Sequence, residues 1–458
     1  MLFNSLVFLL LFLPVVAAIG WVAERFGPDW RVVWLVLASL VFYGSFDIRF
    51  VPLLIGSIAL NWLVALAFSR SGRGILVTLA VAANLALLGL YKYLDFAVGI
   101  LDALPGVRLE APSLAFPLGI SFFTFQHIAY LADLRAGRTG LVPPLRYALY
   151  VAFFPRVIAG PLMRPVEFFP QLDGPLAGGR SQMLAQGLLL LIAGLAKKVF
   201  LGDPLGELVD PVHAGIAAGT MPTVVEAWRA TLAYTFQLYF DFAGYSDMAI
   251  GIALMLGIVV PENFRAPYRA ASIQDFWRRW HITLSLFLRN YLYIPFGGNR
   301  HGLPRQVLAL FLTMALGGLW HGAGWTFVAW GAAHGAALGL HLLWRKAGCT
   351  MPAALGWLLT FAFVALAWVP FRATSFEATL AIYRGLAGFA PLGDLGKAQD
   401  WTLLVLAVPL AIFGPTAFDL VKRLPPRAWV AAAAALLFAA VLVQVGDDAN
   451  RDFIYARF

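Results

Sequence analysis

Long apolar runs separated by short polar connections dominate the chain. Runs long enough to cross a bilayer, or nearly so, lie at 2–23, 30–46, 49–68, 74–93, 114–133, 145–162, 183–201, 226–260, 305–320, 323–343, 353–369, 401–418 and 428–446. A spanning helix needs about 20 mostly apolar residues, because only a helix or a closed barrel satisfies every backbone polar group inside lipid. The pattern therefore predicts an all-α polytopic membrane protein with roughly ten to twelve transmembrane helices, plus re-entrant and interfacial amphipathic pieces. The run at 226–260 is long enough for one tilted helix or a broken pair. No polar stretch is large enough for a separate soluble domain, so 1–458 reads as one integral-membrane domain. N-terminal helices fill 1–110, a core fills 111–345 and C-terminal helices fill 346–458. The opening MLFNSLVFLLLFLPVVAAIG lacks the charged start of a secretory signal and reads as a retained first membrane helix. The one linker-like stretch is PLAGGRSQ at 175–182.

One segment departs from the spanning pattern. In SIQDFWRRWHITLSLFLRNYLY (272–293), helical spacing puts Ile273, Trp277, Trp280, Leu284, Phe287, Leu288 and Tyr291 on one arc. Gln274, Arg278, His281, Ser285 and Arg289 fall opposite. Such a helix serves either as an interfacial anchor or as the wall of a polar cavity.

Composition sharpens the membrane reading. Of 458 residues 61% are hydrophobic and only 12% charged, half the charged share of an ordinary soluble domain, about 25%. The net charge of +9 does not point to nucleic acid, since no Lys/Arg run is long enough for a footprint. It fits cytoplasmic loops, where Lys and Arg accumulate. SRSGRG (69–74), AKK (196–198), WRKAG (344–348) and VKRLPPR (421–427) are the clearest of these, and they place the N-terminus and DDANRDFIYARF on the outer side. The single cysteine, Cys349, excludes a disulfide framework and a multi-cysteine metal cluster.

Several kinds of chemistry are missing. There is no Walker A motif and no HExxH. GYSDM (244–248) has Met248 where a nucleophile elbow needs glycine. GAGWTF (322–327) fails the dinucleotide fingerprint at its last position. His334 and His341 share a helix face, but two ligands do not make a metal site, so no metal is expected. Polar groups at membrane depth stand out instead. Asp241 and Asp247 sit inside YTFQLYFDFAGYSDMAIGIA (234–253), where ionisable groups are costly and usually functional. A structural role is the alternative, with Tyr245 four residues on to satisfy Asp241. GGLWHGAGWTFVAWGAAHG (317–335) places His321 ahead of Gly322 and Gly324. A neutral imidazole tolerates an apolar setting and still accepts a proton near neutral pH. A hydrogen-bonded structural histidine fits the same facts.

LYFDFAGYSDMAIGIALMLGI, PENFRAPYRAASIQDFWRRWHITLSLFLRNYLYIPFGGNR and GLWHGAGWTFVAWGAAHG closely resemble the membrane-bound O-acyltransferase (MBOAT) family, in its alginate O-acetyltransferase branch. FPLGISFFTFQHIAYLADLRAG, VIAGPLMRPVEFFPQL, GLAKKVFLGD and the terminal DFIYARF fit the same branch, so the resemblance covers nearly the whole chain. It implies a multi-pass enzyme of the bacterial cytoplasmic (inner) membrane, with its catalytic motifs in the 111–345 core. Such an enzyme moves acetyl from a cytoplasmic thioester across the membrane to O-acetylate an exported polysaccharide such as alginate or cellulose. The WHG histidine, expected to be catalytic, falls on His321. The RRWH histidine, a second essential residue, falls on His281. Asn290 stands where the family usually has Asp, and Arg156 where Gln is common.

With His321 as general base, the developing oxyanion needs donors. Arg278, the Trp320 or Trp325 indole and Asn299 are candidates from chemistry alone, with Asp241 and Asp247 as further polar groups for substrate. Lys197 and Lys198 offer charge to phosphates or simply signal topology. No permanently bound cofactor is expected; the donor is acetyl-CoA or an acyl-carrier thioester. The partners implied are membrane lipid and either the exported polysaccharide or a periplasmic SGNH-type acetyltransferase. Three other readings compete: D-alanyl transfer to teichoic acid, as in a related branch, a non-enzymatic transporter, and a purely structural scaffold. Transport predicts inverted repeats, which the sequence does not show.

Overall fold

The computed structural model describes residues 1–102, 104, 114–173, 179–425, 427–447 and 453–454. Half of PLAGGRSQ and most of DDANRDFIYARF lie outside the described residues. Among the described residues every regular element is helical, and seven helices are long and apolar enough to cross a membrane. They are Ile48–Ser71, Gly74–Lys92, Arg180–Ala217, Leu303–His321, Trp325–Lys346, Ala353–Arg372 and Ala428–Gly446. An eighth forms if Ala398–Ile412 and Ala417–Arg423, bent by 67° across the break between them, count as one span.

The number is smaller than the apolar runs alone suggest because several runs do not become long helices. The 145–162 run gives only Pro144–Ala152 before the backbone turns irregular. The 114–133 run gives Ile120–Arg135, 16 residues. The 30–46 run gives the 17-residue Pro28–Gly44. The 226–260 run is one unbroken helix, Val224–Met255, of 32 residues.

The chain divides into two compact units. The first comprises Met1–Ile192, Ser246–Pro261 and Val445–Asp452. Its polar groups meet one another rather than lipid. Asn61 and Asn84 exchange side-chain hydrogen bonds at 3.1 and 2.7 Å. His127 meets Tyr147 Oη at 2.6 Å and Ser57 Oγ at 3.2 Å. Arg156, wholly buried, lies against the Tyr150 and Phe168 rings and donates to the Tyr150 carbonyl.

The second unit comprises Ala193–Tyr245, Glu262–Gln444 and Phe453–Phe458. It contains Leu303–His321 and Trp325–Lys346, which pack as a tight hairpin, and a stretch from 262 to 302 in which no helix exceeds seven residues. Ala353–Arg372 packs against the second hairpin helix.

Candidate active site

The hairpin sets the position of His321. Pro304 lies in the first turn of Leu303–His321, where its missing N–H costs nothing. The helix ends at His321 because Gly322 and Gly324 are extended. Three glycines let the two helices approach backbone to backbone. A Cβ on Gly318 would strike the Phe327 carbonyl, and one on Gly331 the Met314 carbonyl. One on Gly335 would stand 2.8 Å from Phe311 Cα. A side chain on Gly322 would enter the Phe327 ring. His321 is thus the last residue of a rigid helix, 4% exposed. Its ring is enclosed by Trp320, Trp330 and Phe371, with centroids 5.0, 5.2 and 5.3 Å away.

The 272–293 segment is not one helix. Ser272 caps Ile273–Arg279 by accepting from the Asp275 amide at 3.2 Å. The chain then breaks at Trp280 and His281 and resumes as Ile282–Leu288, followed by a single wide turn, Arg289–Tyr293. The continuous polar arc through Arg278, His281 and Ser285 is therefore interrupted. His281 has φ 42°, ψ 55°, a left-handed conformation costing a non-glycine residue about 1–2 kcal/mol.

Asn263, in the irregular strand of chain alongside, offsets that cost. Its carbonyl accepts from the Ile282 amide at 2.9 Å. Its side-chain Oδ1 accepts from the Thr283 amide at 3.2 Å and the Thr283 hydroxyl at 2.9 Å, and lies 3.2 Å from His281 Nδ1. An oxygen already accepting from an amide must accept from the imidazole too. Nδ1 therefore carries the proton and the lone pair lies on Nε2. Complete burial pushes this imidazole down to about 3, so it is neutral at pH 7.

Aromatic contacts join the two histidines, beginning with Phe264, whose ring lies 6.3 Å from His281 and 5.0 Å from Trp280. Trp280 meets Trp368 at 4.9 Å, Trp368 stacks on Trp330 at 5.6 Å, and Trp330 meets His321. His334 lies in the same cluster, its Nδ1 accepting from Trp277 Nε1 at 3.2 Å. It is fully buried, while His341, its expected face-mate, lines a cavity.

The other expected site residues scatter. Trp320 packs on His321. Trp325 is 55% exposed at the start of its helix. Asn299 is exposed in the loop after the wide turn, and Arg278 is exposed at the cavity that His341 lines. Asp247 is buried in the first unit and Asp241 in the second.

Asp241 is held not by Tyr245 but by Lys198, whose Nζ is 2.5 Å from Oδ1 and also 2.7 Å from Asp203. Its Oδ2 accepts from the Ile454 amide at 3.0 Å. Lys198 is correspondingly buried, so it is not a surface charge open to phosphate. A small residue lies opposite: a Cβ added to Gly202 would stand 3.3 Å from the Asp241 backbone.

Three residues central to this geometry are not singled out by the sequence. Trp330 and Phe371 look like ordinary core aromatics, and Asn263 acts across 18 positions.

The membrane-bound O-acyltransferase family model matches residues 128–377, which contain both histidines. The chain is similar to the peptidoglycan O-acetyltransferase of Helicobacter pylori, 41% identical over 85% of this chain and 80% of that one. It is similar to the probable alginate O-acetylase AlgI of Pseudomonas putida, 37% identical over 100% of both. Similarity to the teichoic acid D-alanyltransferase of Bacillus subtilis is 28% and covers 50% of this chain and 60% of that one.

Proposed function

The chain belongs to the membrane-bound O-acyltransferase family, and from that premise we propose that this multi-pass membrane protein transfers acetyl to an exported glycan, with His321 as general base. The observation that carries the proposal is the position of His321. It ends a rigid helix, at a glycine-opened break between two helices long enough to span, inside an aromatic cage. His321 is 4% exposed, and an imidazole can take the proton from an acceptor hydroxyl.

The hydroxyl oxygen attacks the thioester carbonyl as its proton moves to His321. The tetrahedral intermediate collapses, the carbon–sulfur bond breaks, and the imidazolium returns the proton to the departing thiolate. The products are an ester and a thiol. The Trp320 indole beside the imidazole is the donor we assign to the oxyanion. His281 is assigned a positioning role, neutral and fixed in one tautomer by Asn263.

The donor is acetyl-CoA or an acyl-carrier thioester on the cytoplasmic side of the inner membrane. The acceptor is the glycan itself or a periplasmic SGNH-type acetyltransferase that passes the group on. Acetyl is favoured over D-alanyl because the acetylating relatives match four-fifths or more of the chain, whereas the D-alanylating relative matches half.

The test is complementation. Cells lacking the protein receive wild type or His321→Ala, membrane levels are matched by immunoblot, and acetyl ester on the exported glycan is measured. Restoration by wild type alone supports the reading. Full restoration by the variant makes His321 a packing residue.

A further inference from the structure

A groove of about 570 Å³ lies in the second unit between Trp325–Lys346 and Ala353–Arg372, two helices long and apolar enough to span. Ala337, Leu340 and Trp344 wall it on one side, Leu359 and Phe363 on the other, and Ile273 lines it between them. The 271–273 backbone packs closely there: a Cβ on Gly356 would stand 2.5 Å from the Ala271 carbonyl. The hydroxyls in the wall are engaged locally. Ser272 Oγ accepts from the Asp275 amide at 3.2 Å, and Thr360 donates to the Gly356 carbonyl at 2.6 Å. The body of the groove therefore offers apolar surface, with Leu340, Trp344 and Leu359 exposed. From Ala337 to Arg345 it follows the helix for eight residues, about 12 Å along the axis.

One end of the groove is cationic. Arg345 lines it and Lys346 follows, both exposed in the last turn of their helix. Gln274 Oε1 accepts from Arg345 at 3.0 Å, which orients the guanidinium. No Asp or Glu occurs between Asp275 and Glu377, so neither helix nor the loop joining them carries a counter-charge. A tryptophan beside cations at the end of a spanning helix marks the boundary between hydrocarbon and water. Apolar walls on the faces of two spanning helices, with cations at the boundary end, match one molecule: a phospholipid. Its chain lies along the groove and its phosphate reaches the cations. A zwitterionic headgroup brings its own cation beside the phosphate, so an anionic headgroup gains more from the pair.

We infer that this groove binds an anionic phospholipid, with one acyl chain against Leu340, Trp344 and Phe363 and the phosphate at Arg345 and Lys346. The site is independent of the chemistry at His321 and stands or falls without it.

The test is photolabelling of the purified full chain in nanodiscs of phosphatidylcholine. The probes are phosphatidylglycerol and phosphatidylcholine carrying the same diazirine-bearing acyl chain, each added as a minor component, with labelled peptides identified by mass spectrometry. Phosphatidylglycerol is expected to label the peptides spanning 340–345 and 359–363 at least about fivefold more than phosphatidylcholine does. Arg345→Gln and Lys346→Gln should each cut that labelling about fivefold, and the double variant by more than about tenfold. Ala337→Trp, which fills the groove, should remove labelling by both probes while the size-exclusion profile stays that of wild type. Lys422→Gln/Arg423→Gln alters exposed cations at the end of another helix and should leave labelling of the groove unchanged.

Equal labelling by the two probes overturns the inference, as does labelling that the Arg345 and Lys346 variants leave at the wild-type level. Equal loss in the Lys422/Arg423 variant also overturns it, because general surface charge then accounts for the preference. The exposed Cys349, the single cysteine of the chain, lines the same groove. Linking of two copies through Cys349 by a bismaleimide in membranes, with no lipid labelling of the groove, would make this face an interface between copies of the chain and remove the lipid site.

Discussion

Asn263 Oδ1 stands 3.2 Å from His281 Nδ1 while accepting from both the amide and the hydroxyl of Thr283. One side chain thus fixes a histidine tautomer and holds the chain through a left-handed break that divides two short helices. Asn263→Leu removes that acceptor and leaves buried donors unmet, at about 1–3 kcal/mol each. Acetyl ester per unit of membrane protein should fall at least about tenfold. Asn263→Asp keeps an acceptor oxygen and should retain more activity than the leucine variant. The opposite order in a level-matched complementation assay would remove the positioning role.

Lys198 and Asp241, each with side chains only 2% exposed, pair at 2.5 Å. Lys198→Met strands a buried carboxylate. Breaking one side of such a pair costs about 3–5 kcal/mol, whereas replacing both sides with apolar groups is often close to neutral. The thermal midpoint of detergent-solubilised protein should drop sharply for Lys198→Met and recover in Lys198→Met/Asp241→Leu. A double variant less stable than the single one contradicts the pairing as the reason both residues are buried.

The hairpin glycines are predicted to act on the rate through His321. Gly331→Val drives a side chain into the Met314 carbonyl, forcing the helices apart. A displacement of about 1 Å at a catalytic group costs on the order of a hundredfold in rate. Gly89→Ala, where an added Cβ meets nothing within 4 Å, is the control and should acetylate like wild type. Equal acetylation by both variants at matched membrane levels would show that close helix approach does not set the His321 geometry.

The sequence announces the helical membrane architecture through its apolar runs, because lipid allows little else. It announces both histidines through the motifs that carry the family resemblance. The break at His281 was hidden, because TrpHisIle has no glycine or proline to mark a left-handed turn, and its support comes from Asn263, far away in sequence. Lys198 looked like a loop charge because its partner Asp241 comes to it only through the fold. Arg278 and Arg289 share a polar arc in the sequence, whereas Arg345, from the end of the second hairpin helix, comes to the same cavity only through the fold. What periodicity misses here is what tertiary contact decides.

Trp330 supplies the last prediction. It is 1% exposed and its ring meets His321, His334, Trp368 and Phe371. Trp330→Ala empties a large site, at about 3–5 kcal/mol of stability, and frees the imidazole to rotate. Trp330→Phe keeps an aromatic face and should preserve part of the activity. An apolar cavity of this kind binds small aromatic molecules, so indole added to membranes containing Trp330→Ala should restore part of the acetyl transfer. Recovery with indole, and none in His321→Ala membranes treated the same way, means that Trp330 works by packing His321 in place. Wild-type transfer by untreated Trp330→Ala at equal membrane level would mean that the cage does not hold the base.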